Sequence, residues 1–348
     1  MSNVYGKSNW IFEIRDQNGE NRVRLTAANN RKVVRGLNSA GQASFTIDLN
    51  DEKATQANLR EGRSQLYVYR GSTLYFSGKI MIVERTGDEA SQKANVTALG
   101  WLWFFEKRII GKTADVTYTT TDAGAIAWGI INTSQNKTYG SLGITQGTIQ
   151  TSQNLSLTYT RQKIRQALDD LISQAGIEFE ITPDKIFNVY YPKKGSDRTA
   201  TVKFKYPGNI KSWRSLSDGT TVINDILALG QGTGAEELTA DVEDTGTKNV
   251  FGLFEDVASF KDVDNQTALT NMANYFLSLR KAPRLTLDIE VHGNNETVEI
   301  TDYVEGDTVR IEIKHTNYTL TQDFRIFEIH VDIGDDDKET VRLVTALV

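Results

Sequence analysis

The sequence predicts a mainly β protein with an α+β insert: two β units of similar size flanking an α/β segment. Three observations carry that prediction. Apolar and polar residues alternate in many short runs, the period of a strand with one buried and one wet face. Clusters of Gly, Asn and Asp separate the runs at short intervals, and such residues tolerate left-handed or Asx-turn geometry. The 27 Gly against 4 Pro suit a turn-rich β chain.

The C-terminal third shows the pattern most clearly. Leu285, Leu287, Ile289 and Val291 alternate with polar residues, as do Val309, Ile311 and Ile313, then Phe327, Ile329, Val331 and Ile333. An apolar run over 341–348 closes the chain. Turns are expected at Gly293-Asn294-Asn295, Glu305-Gly306-Asp307 and Gly334-Asp335-Asp336-Asp337. Strands at this spacing read as an antiparallel sandwich or barrel. One helix, over 265–281, precedes them. Asp264 can cap it, Pro283 stops it, and Leu269, Met272, Phe276 and Leu279 fall on one face at offsets 0, 3, 7 and 10. That stripe is expected to pack on the strands that follow.

From the N-terminus, residues 1–9 read as a polar arm. Strands follow at 10–14, 33–37 and 44–49, then a hairpin of 66–69 and 74–76 around Arg70-Gly71-Ser72-Thr73, then strands at 79–85 and 94–99. Residues 1–109 thus form a β unit about the size of the last one. It ends in Trp101-Leu102-Trp103-Phe104-Phe105, four aromatics in five positions. Such a cluster is a core or a domain seam, or else an exposed adhesive patch.

Residues 110–205 read as α/β. A helix over 123–131 is capped by Thr121 or Asp122. A second carries Ile164, Leu168, Leu171 and Ile172 on one face and ends at Gly176. Strands at 177–181 and 186–191 pair around Thr182-Pro183-Asp184, followed by the polar loop Lys193-Lys194-Gly195-Ser196-Asp197. Residues 207–263 look looser, with a flexible turn at 230–234 and an acidic mobile loop over 236–244.

The net charge of −6 is unevenly spread. Residues 1–110 hold 16 basic and 11 acidic residues (+5), residues 111–235 hold 13 and 10 (+3), and residues 236–348 hold 10 and 24 (−14). No run approaches the ~18 apolar residues of a membrane span. The N-terminus lacks the apolar core of a secretory signal. The absence of cysteine excludes disulfides, thiolate zinc sites and cysteine nucleophiles.

Motif chemistry is sparse. Gly230-Gln231-Gly232-Thr233-Gly234 lacks the Lys-Ser/Thr that follows a phosphate-cradling loop, so it reads as a turn. Asp262-Val263-Asp264-Asn265-Gln266 is a poor calcium loop, with Ala273 where the bidentate acid belongs. His292, His315 and His330 show no metal spacing. There is no Gly-x-Ser-x-Gly elbow and no basic, aromatic-interleaved stripe for reading nucleic acid. No catalytic, cofactor-binding or metal residue is singled out.

Several blocks do resemble a family. The run from Asn209-Ile210-Lys211-Ser212-Trp213 through Val222-Ile223-Asn224-Asp225-Ile226-Leu227-Ala228-Leu229-Gly230-Gln231-Gly232 resembles the middle of siphophage tail hub proteins. Gly252-Leu253-Phe254-Glu255, then Asp264, Thr267, Leu269, Ala273, Leu277 and Pro283, is similar to their next block. Tyr303-Val304-Glu305-Gly306-Asp307-Thr308-Val309 and Phe324-Arg325-Ile326-Phe327-Glu328-Ile329 look like their closing barrel. Ala98-Leu99-Gly100-Trp101-Leu102 with Arg108 has the same flavour. The order of these blocks, over nearly the whole chain, carries the resemblance.

The resemblance implies a tail-tip or baseplate hub related to the contractile-phage hub and the base of the type VI secretion spike. It implies two tail-tube-like β-barrel or sandwich domains, at 1–109 and 206–348, around an α/β insert at 110–205. Three subunits would then imitate a sixfold ring. The implied partners are further copies of itself (a homotrimer), distal tail or tail-tube proteins, the tape-measure protein and tip or fibre proteins. DNA would only pass through the channel, and no cofactor is implied. The implied location is the virion tail tip, after assembly in the host bacterial cytoplasm. The chain stops at Val348 without an appended peptidase or sugar-cleaving domain, so no enzymatic activity is expected. The rival readings are a carbohydrate- or host-surface-binding tail protein using Trp101 and Trp103, and a cell-wall hydrolase.

Overall fold

The computed structural model describes residues 9–261, 263–292 and 297–347. All but the last residue of the expected N-terminal arm, the turn at 293–295 and Asp262 of the calcium-like loop lie outside the described residues. The chain forms two compact units: Met1–Trp213 with Ile289–Ala346, and Arg214–Asp288.

A thirteen-stranded sheet dominates the described residues. Its N-terminal members are Trp10–Arg15, Val23–Leu25, Asn29–Gly36, Gln42–Asp48, Gln65–Arg70, Thr73–Gly87 and Gln92–Gly100. Strand alternation is visible in the burial: Trp10, Phe12 and Ile14 are buried on one face, as are Ala43, Phe45 and Ile47. Phe12 and Phe45 meet edge to face at 5.9 Å. Thr73–Gly87 is one strand of 15 residues, although the sequence reads as two. Ser77 and Gly78, which suggest a break, are both buried within it.

The C-terminal strands Thr308–His315, Tyr318–Ile333 and Glu339–Leu347 belong to the same sheet, with Arg284–His292 and Ile210–Asp218 continuing the order. The join is the antiparallel pairing of Tyr318–Ile333 with Asn29–Gly36, in register from Glu328 opposite Gly36 to Ile333 opposite Arg31. Lys203–Tyr206 adds a parallel pairing to Thr308–His315, so the sheet is not purely antiparallel as expected.

The insert builds its own core. Ile126 and Ile130 of helix Ala123–Gln135, Leu168 and Leu171 of helix Ile164–Ala175, and Phe179 and Phe187 of the strands Glu178–Ile181 and Ile186–Tyr190 are all fully buried. Burying each such side chain contributes about 1.5–3 kcal/mol. Asp122 caps the first helix by accepting from the Ala125 N–H at 3.1 Å. Gly176 ends the second in the left-handed conformation.

In the second unit, Asp225–Leu229 pairs antiparallel with Thr239–Glu243 and parallel with Glu255–Ser259. Half of the expected mobile loop at 236–244 is therefore a strand. Its alternation explains why: Ala240 is buried and Val242 packs on the core, while Asp241 and Glu243 face out. Helix Gln266–Ser278 lies on the strands that precede it, not those that follow. Its buried residues are Leu269, Ala273 and Leu277, whereas Met272 and Leu279 are exposed. The buried stripe is set by the small Ala273, which admits close approach to Ala228 and Ala240; choosing the largest apolar residues places the face one residue off.

Candidate functional site: an ionic junction around Glu305

Two segments that read as polar turns in the sequence meet inside the first unit. Residues 193–197 pass against residues 304–308. Gly195 has φ +91°, and a Cβ there would lie 2.2 Å from the Gly306 carbonyl carbon. Gly306 has φ +95°, and its Cβ would lie 2.7 Å from the Lys194 carbonyl oxygen. Only residues without side chains let the two backbones approach this closely. Asp307, buried, accepts from the Ser196 N–H at 2.6 Å and the Val304 N–H at 3.0 Å. Asp197 and Thr308 form a parallel bridge, which the pairing of Lys203–Tyr206 extends.

Charged side chains then tie three parts of the sequence together. Arg35, on Asn29–Gly36, donates to the buried Glu305 carboxylate at 2.9 Å. Lys194 pairs with Glu180 and lies 3.7 Å from Glu305. Arg325 holds Glu178 with a two-pronged contact, one prong at 2.7 Å, and also donates to the carbonyls of Lys194 at 2.9 Å and Gly306 at 3.1 Å. Bidentate guanidinium–carboxylate pairs are among the strongest charge-assisted contacts. Burial works against the Arg35 charge, but Glu305, Tyr75 and Glu180 together more than offset it and raise its pKa. Burial raises Glu180, yet the adjacent Lys194 leaves it lowered overall. Burial also pushes the nearby Tyr75 phenol up to about 12.

A second tie joins the two ends of the described chain. Glu339, whose side chain is fully buried, accepts from Trp10 Nε1 and Arg70 Nε, both at 2.7 Å. At the neighbouring turn, Arg31 pairs with Asp337 at 2.8 Å.

Much of the aromatic cluster is core. The 3-10 turn Trp101–Lys107 buries Trp101, Leu102 and Phe105 into the insert core. Trp101 is 3% exposed and donates to Ser77 Oγ at 2.7 Å, which leaves Trp103 as the more accessible indole of the pair. The histidines are dispersed, and His330 lies 2.7 Å from Glu328. Among the described residues, no group of three or more His, Cys, Asp or Glu is placed to hold a metal. Among the described residues, no helix is long and apolar enough to cross a membrane.

Sequence reading saw the turn residues Glu305, Gly306 and Asp307 but not their partners. The available signal was three charged residues alternating with apolar ones in strand-like segments: Glu178, Glu180 and Arg325.

Comparison with solved structures covers almost the whole chain. A tail protein from Neisseria meningitidis superposes with a TM-score of 0.70 at 14% identity, over 97% of this chain and 96% of that one. A 43 kDa prophage tail protein from Shewanella oneidensis gives 0.72 at 11% identity, over 97% and 98%. The fold is that of phage tail proteins. Residues 197–346 of this chain match the family described as prophage endopeptidase tail. An Escherichia coli component of the type VI secretion system, itself described as similar to phage T4 tail proteins, matches at 0.54 and 8% identity, over 96% of this chain and 76% of that one. The relation to tail hubs and spike bases read from the sequence therefore stands at the level of fold. No curated protein matches the sequence significantly.

Proposed function

We propose that this tail-type protein is a structural hub of a phage tail tip or baseplate. Three copies form a pseudo-sixfold ring that joins the tail tube to the tip and lines part of the channel for DNA and the tape-measure protein. In this reading, residues 1–109 and 206–348 are two tube-like domains, and residues 110–205 are the insert between them. The supporting observation is the continuous sheet made by Tyr318–Ile333 against Asn29–Gly36. That pairing joins N-terminal to C-terminal strands within one subunit, which supports a reading in which three subunits supply six arrays. The tube, the tape-measure protein and tip or fibre proteins are the proposed partners, in a virion component assembled in the host cytoplasm. Acidic groups facing a channel would repel DNA and let it slide, the reverse of phosphate neutralisation.

Sedimentation of the purified chain tests the ring: the reading expects a species of about three subunit masses, and a strict monomer at high concentration contradicts it. The proposal assigns no lytic role. Zymography on host cell walls checks that, and a cleared band that survives further purification would contradict it.

A further inference from the structure

Nearly every half-buried cation in the first unit faces a carboxylate. Arg35 has Glu305, Lys194 has Glu180, Arg325 has Glu178 and Arg70 has Glu339. One group does not follow that pattern. Lys79, Lys185 and Arg108 make no salt bridge to any described residue, although all three are half-buried. Their surroundings are aromatic instead. Lys185 Nζ lies 3.9 Å from the centre of the Trp101 ring, and Lys79 Nζ lies 5.4 Å from that of Phe104. Trp101 and Phe104 stack on each other at 6.2 Å. Arg108 sits 5.5 Å from the Phe105 ring and spends one donor on Ser134 Oγ at 3.2 Å.

The charges repel in sequence, Lys185 against Lys79 and Lys79 against Arg108. Burial lowers the Lys185 pKa to about 8, and Lys79 and Arg15 add to the effect. Burial lowers Lys79 as well, with a contribution from Arg108. No carboxylate acts in the opposite direction on any of the three. Holding unpaired like charges partly out of water is unfavourable, and a bound anion reverses the sign.

The cluster is also held in place. Lys185 occupies the tip of the hairpin between Glu178–Ile181 and Ile186–Tyr190, with φ 63° and its N–H on the Thr182 carbonyl at 2.8 Å. The preceding Pro183 carbonyl accepts from Ser77 Oγ, the same hydroxyl that receives the Trp101 indole. The ammonium group makes one long contact, 3.4 Å to Gln65 Oε1. A lysine ammonium carries three donors and a guanidinium five, so free N–H groups remain at this site.

We propose that Lys79, Lys185 and Arg108 form a binding site for an oxyanion, a phosphate or carboxylate group, on the seam between the N-terminal strands, the Trp101–Lys107 turn and the insert hairpin. The anion comes either free from solution or from an acidic side chain of a second copy of the chain. The site stands whether or not a ring forms.

The test uses the full chain and inorganic pyrophosphate, titrated at constant ionic strength against chloride. Binding beside Trp101 is expected to give a saturable change in tryptophan emission and a rise in Tm. Both responses should be lost, or weakened at least tenfold in apparent affinity, in the Lys79→Gln/Lys185→Gln double variant. That variant removes like charges and should keep the wild-type circular dichroism; Lys79→Gln alone serves if it does not. A second arm follows self-association by sedimentation without multivalent anions. A carboxylate from a second copy predicts association that the double variant weakens and pyrophosphate competes away. A free oxyanion predicts the emission response with association unchanged. If wild type and variant respond alike to pyrophosphate and also associate alike, the site does not exist.

Discussion

Residues 214–288, the second unit, hold 12 acidic and 6 basic residues, so their formal charge of −6 equals that of the whole chain. The remainder is balanced at 33 of each. The apolar surface is just as unequal. The second unit exposes Val250 at 72%, Leu279 at 64%, Tyr275 at 60%, Leu253 at 59% and Val257 at 56%. Among the described residues, its interior is two small clusters, one of Ile223, Ile226, Ala258 and Leu277, the other of Ala228, Ala240, Leu269 and Ala273. The first unit instead buries large aromatics and pairs charges deep in the fold. The difference separates two ways of holding a structure: one unit rests on a long sheet locked by buried ion pairs, the other on small-residue contacts within a short sheet and helix. A unit with so little buried apolar area opens at lower free energy, so its amides should exchange faster than those of the large sheet.

Substitutions can break this contrast. The largest effect is expected from Arg325→Ala, which leaves the largely buried Glu178 without its guanidinium; about 3–5 kcal/mol should be lost from the first unit in urea denaturation. A loss under about 1 kcal/mol would mean the junction is wet and weak. Next comes the helix face. Leu269→Ala should destabilise the second unit by about 2–3 kcal/mol, while Leu279→Ala changes stability by less than about 1. The reverse order would restore the face the sequence suggests. Gly195→Ala forces a Cβ into the Gly306 backbone at positive φ and should cost more than about 1 kcal/mol, read as a lower Tm. The smallest effect is on acid sensitivity. Asp244, capping Thr245–Phe251 and bonded to Lys281, is held down to about 2, first by the Lys281 contact and then by the Thr247 N–H. Its folded value lies below the unfolded one, so its contribution is complete above about pH 4 and is lost as pH falls towards 2. Asp244→Asn should flatten that limb of the second unit's pH–stability curve.

Much of the fold was legible because strands and caps leave local marks. The strands near 10–15, 42–48, 92–100 and 308–313, the Asp122 cap and the Gly176 stop all follow from period and turn chemistry within a dozen residues. What escaped is non-local. The pairing of Tyr318–Ile333 with Asn29–Gly36 joins segments about 300 residues apart, and no pattern inside either strand names its partner. The partners of Glu305 are similarly scattered over Arg35 and Lys194. Helix Gln266–Ser278 went wrong for a different reason: where Ala sets the closest approach, the largest side chains stay outside. The short strand at Thr239–Glu243 was hidden by its acids, which mask a two-residue alternation.

In the proposed hub, one subunit supplies two strand arrays to a ring. Electron micrographs of the purified chain at high concentration test it most directly. The account predicts end-on class averages with six lobes in threefold pairs; a field of single, asymmetric particles, unchanged by concentration, would contradict it.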